Sequence, residues 1–85
     1  MLYINDASAG QHTQALHKAA YRFWRMHLGA GESLYIVVAD ARPHGFRITV
    51  RTQHDRQETP LLIDLGADPE ETILAALEEW WTERQ

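Results

Sequence analysis

The stretch that decides the fold is residues 34–51, LYIVVADARPHGFRITVR. Residues 34–39 are apolar and rich in β-branched side chains, which is typical of a central strand. Residues 42–45 (RPHG) match a type I turn, with proline second and glycine fourth. Residues 46–51 then alternate apolar and polar side chains, the period-2 pattern of a strand buried on one side. We therefore predict an antiparallel hairpin in the middle of the chain.

Two further strands are predicted on either side of this hairpin. Leu2–Ile4 is a short apolar segment that ends at polar residues. Leu61, Ile63 and Leu65 alternate with other residues after a polar loop, and Pro60 precedes them. Because proline has no backbone donor, the last strand begins at Pro60 or lies at an edge of the sheet.

Two amphipathic helices complete the pattern. Ser8 and Gln11 have the spacing of a capping box, and glycines at 29 and 31 follow the apolar stripe, so we predict helix 1 over about Ala9–Leu28. Asp68-Pro69-Glu70-Glu71 opens helix 2 with a capping acceptor, a proline in the first turn and acidic side chains.

The predicted order is β-α-β-β-β-α. Because each helix has one apolar side, we expect a single α+β domain spanning residues 1–85. It is a two-layer sandwich in which a mostly antiparallel four-stranded sheet carries both helices on one face. The other face of the sheet is then open. We expect it to present Tyr3, Tyr35, Val37, Ala39, Arg47, Thr49, Arg51, Leu62 and Asp64.

Composition limits the classes of function. The 85 residues include no cysteine, so disulfides and thiolate sites are excluded. The chain has no secretory leader pattern and no run of about 20 apolar residues, so we expect a cytoplasmic protein with no membrane association. The five histidines lack metal-ligand spacing. We expect no catalytic residues, no metal and no cofactor. His27, on the apolar side of helix 1, is interpreted as a core histidine with a hydrogen-bond partner.

Charge is unevenly distributed along the chain. Residues 10–56 contain seven of the eight basic residues and have a net charge of +4, whereas residues 57–85 have a net charge of −7. The overall charge of −4 conceals this division. Such polarity favours oriented docking on a charged partner or head-to-tail pairing of copies.

The leading hypothesis is a small non-enzymatic protein-interaction module that acts as a homodimer in an inhibitor, adaptor or antitoxin-like role. An origin in a phage or mobile element would suit an acidic chain of this size. Tyrosine and arginine are enriched in protein interfaces, and apolar residues on an open sheet face are left wet unless a partner covers them. The candidate interface residues are Tyr35, Val37, Arg47, Arg51, Leu62, Trp24, Leu74 and Trp81.

The alternative hypothesis is an RNA- or DNA-binding protein that uses the open sheet face and helix 1. Arginines interleaved with aromatic side chains can hold phosphates and stack bases. The candidate contacts are Lys18, Arg22, Arg25, Arg47 and Arg51, together with Tyr35.

The element order resembles that of double-stranded-RNA-binding-like folds with an added first strand, such as the ribosome hibernation factors. The segment of helix 2 is similar to the acidic helix of small antitoxins. Neither resemblance involves a specific motif, and the acidic helix 2 departs from the basic helix on which those RNA binders depend. The resemblance implies an architecture, not an activity.

Overall fold

The computed structural model describes residues 1–6 and 10–84. These residues form four strands and two α-helices, and the order β-α-β-β-β-α is confirmed. Two short 3₁₀ turns, Gly10–His12 and Gly29–Gly31, flank the first helix. The elements are β1 (Leu2–Asn5), α1 (Thr13–His27), β2 (Leu34–Arg42), β3 (Gly45–Thr52), β4 (Thr59–Asp64) and α2 (Pro69–Arg84).

The strands form one mixed sheet in the order β1-β2-β3-β4. β1 pairs in parallel with β2, and the other two pairs are antiparallel. The predicted hairpin is confirmed, since Arg42 pairs with Gly45 across a two-residue connection. Pro60 is the second residue of β4, an edge strand, as its missing donor requires.

β2 is longer than predicted, and it contains a bulge. The pairing with β3 shifts between Val38 and Asp40, so Asp40 lies opposite Arg47. An extra residue in one strand reverses the alternation of side chains beyond it. Asp40 therefore lies on the open face, and Ala41 turns toward the helices and packs against the core.

α1 begins later than predicted, at Thr13 instead of Ala9. Gly10 has a φ of 58°, a left-handed conformation that interrupts an α-helix, and the Thr13 hydroxyl donates to the Gly10 carbonyl at 2.8 Å. Ser8, which belongs to the predicted capping box, lies outside the described residues. Gly29 has a φ of 64° and ends the helix as predicted.

α2 begins at Pro69 as its sequence predicts. The Glu71 backbone N–H donates to Asp68 Oδ1 at 3.3 Å, and the Thr72 hydroxyl donates to the Asp68 carbonyl at 2.9 Å. The capping aspartate therefore satisfies donors of the first turn that have no partner within the helix.

Both helices pack on one face of the sheet. The core joins Leu16, Ala20 and Phe23 of α1 to inward-facing strand residues and to Ile73 and Leu77 of α2. Phe23 is fully buried, and its ring lies 6.0 Å from each of the rings of Trp80 and Trp81. Neither described helix has the length and apolar character needed to cross a bilayer.

A methyl group at Gly45 tests the β3–β4 contact. A Cβ there would lie 2.5 Å from the Ile63 carbonyl oxygen, which is backbone and cannot rotate away. We expect Gly45→Ala to lower the free energy of unfolding by about 1–3 kcal/mol in urea titrations. Gly66→Ala is the control, because a Cβ at that position meets nothing within 4 Å. If Gly66→Ala lowered the free energy of unfolding as much as Gly45→Ala does, the close contact between β3 and β4 at Gly45 would not be the cause.

The β3–β4 loop is tied to the end of α2 through Asp55. Its carboxylate accepts from the Gln57 N–H at 3.0 Å and lies 2.7 Å from Arg84 Nη1. These two contacts, the backbone hydrogen bond first, hold the pKa of Asp55 below its ordinary value of 3.8. A carboxyl group with a lowered pKa stabilises the fold above its unfolded pKa, and this contribution is lost as pH falls through the folded value.

We therefore expect Asp55→Asn to unfold at lower urea concentration than the wild type at pH 6. The gap between the two proteins narrows as the pH falls below the ordinary pKa of 3.8, because the wild-type carboxyl becomes protonated as well. Arg84→Gln keeps the hydrogen bond from Gln57 to Asp55, so this variant retains part of the pH dependence. A gap that is independent of pH would refute this account.

Candidate interaction surface

The sheet face turned away from both helices is the candidate site, and we call it the open face. No described helix covers it. Exposed side chains on it include Tyr3 (46% exposed), Val37 (42%) and Leu62 (83%). Strand alternation and the cross-strand register place these residues on it: Tyr3, Asn5, Tyr35, Val37, Asp40, Arg47, Thr49, Arg51, Pro60, Leu62 and Asp64.

Tyr3, Tyr35 and Arg51 form a ladder across three strands. They are paired residues of β1, β2 and β3. The two tyrosine rings stack with centroids 4.9 Å apart and planes 10° apart. The Arg51 guanidinium carbon lies 4.1 Å from the Tyr35 centroid. Tyr35 therefore has the Tyr3 ring on one side and a cation on the other, which restricts the rotamers of all three residues.

At the opposite end of the open face, two charged side chains, Asp40 and Arg47, lie beside the apolar side chain of Leu62. Asp40 and Arg47 are paired across β2 and β3, and Leu62 pairs with Arg47 from β4. Asp40 Oδ2 lies 3.3 Å from Arg42 Nε, a contact exposed to solvent. Among the described residues, Arg47 makes no ion pair.

Two open grooves of about 510 Å³ each lie at these two ends. The first is lined by Tyr3, Tyr35 and Val37 with His17 from α1. The second is lined by Asp40, Arg47, Leu62 and residues of the β2–β3 turn, including His44. His44 makes no hydrogen bond to the aspartates of this groove among the described residues. Because His17 belongs to α1, the first groove runs round the β1 edge of the sheet toward the helix layer, whereas the second lies at the β2–β3 turn.

The structure divides the predicted interface residues between two layers. Tyr35, Val37, Arg47, Arg51 and Leu62 lie together on the open face. The other three belong to the helices: Trp24, Leu74 and Trp81.

The helix residues are largely used within the fold. Leu74 is 7% exposed and lies in the core, which removes it from the candidate surface. The half-buried Trp24 donates from Nε1 to the Glu32 carbonyl at 2.9 Å. Trp81 packs against Phe23. The expectation that these three residues join an interface is corrected for Leu74, because helix–helix packing buries it.

The predicted basic residues of helix 1 lie on the opposite side of the molecule from the open face. Arg22 is held by two acids of α2, with Nη1 2.7 Å from both Glu70 and Glu71. These hydrogen bonds, that of Glu71 foremost, raise the pKa of Arg22 above its ordinary value. Arg25 lies 5.7 Å over the Tyr21 ring, and Lys18 is exposed. Contacts between the helices thus neutralise part of the basic charge of residues 10–56 with acidic side chains of residues 57–85.

The histidines lie in separate places. His27 Nε2 donates to Glu78 Oε2 at 2.7 Å between the helices, beside the rings of Phe23 and Trp81, so it has the predicted hydrogen-bond partner, but its side chain is 23% exposed and lies at the margin of the core. His12 Nε2 donates to the Arg42 carbonyl at 2.9 Å. Within the described residues, no three or more histidine and acidic side chains are grouped to hold a metal ion.

Sequence reasoning missed Asp40. Counting by two from Tyr35 places Ala39, which is exposed, on the open face and Asp40 among the core side chains, whereas the bulge brings Asp40 to the open face as well, opposite Arg47. The signal was present, because a lone aspartate at a buried position of a central strand is too costly to desolvate and indicates a shift in alternation.

Comparison of the chain with protein-family models, with curated proteins and with solved structures gives no match. The function is therefore argued from the geometry of the open face.

Proposed function

We propose that the protein is a small non-enzymatic interaction module that binds a protein through the open face. It would act as an inhibitor, adaptor or antitoxin-like protein in the cytoplasm. The observation that carries the proposal is the Tyr3–Tyr35–Arg51 ladder beside exposed Val37. Tyrosine and arginine are the side chains that most often anchor protein interfaces.

The ladder is ordered before any partner arrives. Tyr35 is held between two neighbours, so little rotamer entropy remains to be lost when a partner covers it. Val37 lies next to it on β2, and its exposed side chain gains free energy when it is removed from water. Rigid aromatic anchors beside apolar surface are characteristic of protein interfaces.

Three features favour a protein over a nucleic acid. Both sides of the Tyr35 ring are occupied, so it offers no free ring face to a base. Arg22 is neutralised by two glutamates and lies in the helix layer, so it cannot add to the charge of Arg47 and Arg51. The net charge of −4 opposes approach to a polyanion.

Site-specific photo-crosslinking tests the proposal. A benzophenone amino acid is placed at Val37 on the open face, and in a control at Met26, an α1 residue that is 61% exposed. We expect discrete protein adducts from position 37 in the native cell, and loss of most of that yield when Tyr35→Ala is added. Position 26 should give weak adducts that Tyr35→Ala does not change.

Equal adduct patterns from positions 37 and 26 would overturn the proposal. So would salt-sensitive binding of RNA or DNA oligonucleotides that an Arg47→Glu, Arg51→Glu variant loses, because this result would indicate the nucleic-acid function instead. Arg56→Glu, a charge reversal at an exposed residue outside both candidate sets, is the control for that titration. Circular dichroism of each variant confirms that it is folded.

A further inference from the structure

We infer that the partner of the open face is a second copy of this chain, packed sheet to sheet about a two-fold axis that runs parallel to the strands between β2 and β3. The inference rests on the proposed function, since it identifies the occupant of the same surface. The arrangement of charge on the two central strands supports a second copy as this occupant.

The open-face residues of β2 and β3 form three cross-strand rows. In each row one residue belongs to β2 and the residue opposite it belongs to β3. A two-fold axis between these strands exchanges the two columns, so every β2 residue meets the β3 residue of its own row on the second copy. The rows are Tyr35 with Arg51, Val37 with Thr49, and Asp40 with Arg47.

The exchange brings opposite charges together in the Asp40–Arg47 row. Asp40 of each copy meets Arg47 of the other, which provides two ion pairs for one symmetric interface. Arg47 has no ion-pair partner among the described residues of its own chain, so it is available. At the other end, Tyr35 of each copy lies opposite Arg51 of the other, and both residues keep the stacking they make within their own chain. Val37 and Thr49 meet in the middle.

The same charges disfavour the other simple way of stacking the two sheets. An axis across the strands, through the row of Val37 and Thr49, leaves each strand over its own equivalent and reverses its direction. Arg51 would then lie over Arg47 of the second copy, twice in each dimer. Like charges facing each other in an interface are a strong penalty, so the pattern selects the axis parallel to the strands.

The size of the sheet sets the strength of the dimer. Four strands about 4.8 Å apart and about six residues long present a footprint of roughly 400 Å² on each copy. The total of roughly 800 Å² is smaller than that of standard stable interfaces, so the dimer is reversible. It should therefore be measured by sedimentation equilibrium from micromolar to millimolar protein concentration.

Charge exchange between two variants tests the axis. Arg47→Asp carries two acids in the Asp40–Arg47 row, and Asp40→Arg carries two arginines there. We expect each variant alone to dimerise at least about tenfold more weakly than the wild type, because its copies repel. When the two variants are mixed, they form a heterodimer. Each of its two interface pairs then joins an acid of one copy to an arginine of the other. Lys18→Asp, a charge reversal of the same size in the helix layer, dimerises like the wild type.

A wild type that remains monomeric at millimolar concentration would overturn the inference and leave the proposed function standing, with position 37 then crosslinking to a different protein. A dimer that is insensitive to both substitutions would overturn it as well, because its interface would lie elsewhere. Folded variants that form no heterodimer would refute this axis.

A second measurement does not depend on charge. The chain has no cysteine, so single cysteines can be introduced without competition. A mixture of Val37→Cys and Thr49→Cys chains treated with a short bis-maleimide should give a covalent heterodimer. Val37→Cys mixed with Met26→Cys is the control and should give background yield. Equal yields in the two mixtures would overturn the inference.

Discussion

The pairing of β2 with β3 is the constraint on which the rest of the structure depends. Its register decides which side chains face the helices and which face away. Toward the helices it buries Ile36, Val38, Ile48 and Val50, which are at most 5% exposed. Toward the open face it aligns tyrosine with arginine and aspartate with arginine. The core and the candidate surface are therefore two products of one set of backbone hydrogen bonds.

Much of this fold could be predicted from residue patterns, because the patterns are strong. Alternation over residues 46–51 identifies the strand β3, and the cap at Asp68 identifies the start of the helix α2. Neither pattern fits another type of element. The start of α1 could not be located in the same way. The apolar stripe gives no sign of the positive φ that Gly10 adopts, and this conformation interrupts an α-helix.

The candidate site was predictable in part. The residues of the open face follow from the period of a strand, and five of the eight predicted interface residues lie there. The tilt and spacing of the helices are not encoded in any local pattern. They decide that Leu74 is buried and that Arg22 reaches the first turn of α2. Helix packing therefore buries residues that a helical wheel places at the margin of the apolar stripe.

The two layers also differ in their chromophores. All three tryptophans lie in the helix layer, where Trp24 is hydrogen-bonded and Trp80 is buried, whereas two of the three tyrosines stand on the sheet. Indole emission consequently reports the environment of the helix layer, and phenol absorption is weighted toward the opposite surface. Tryptophan fluorescence and tyrosine absorption therefore distinguish a loosening of the helix layer from a change on the open face without any added label.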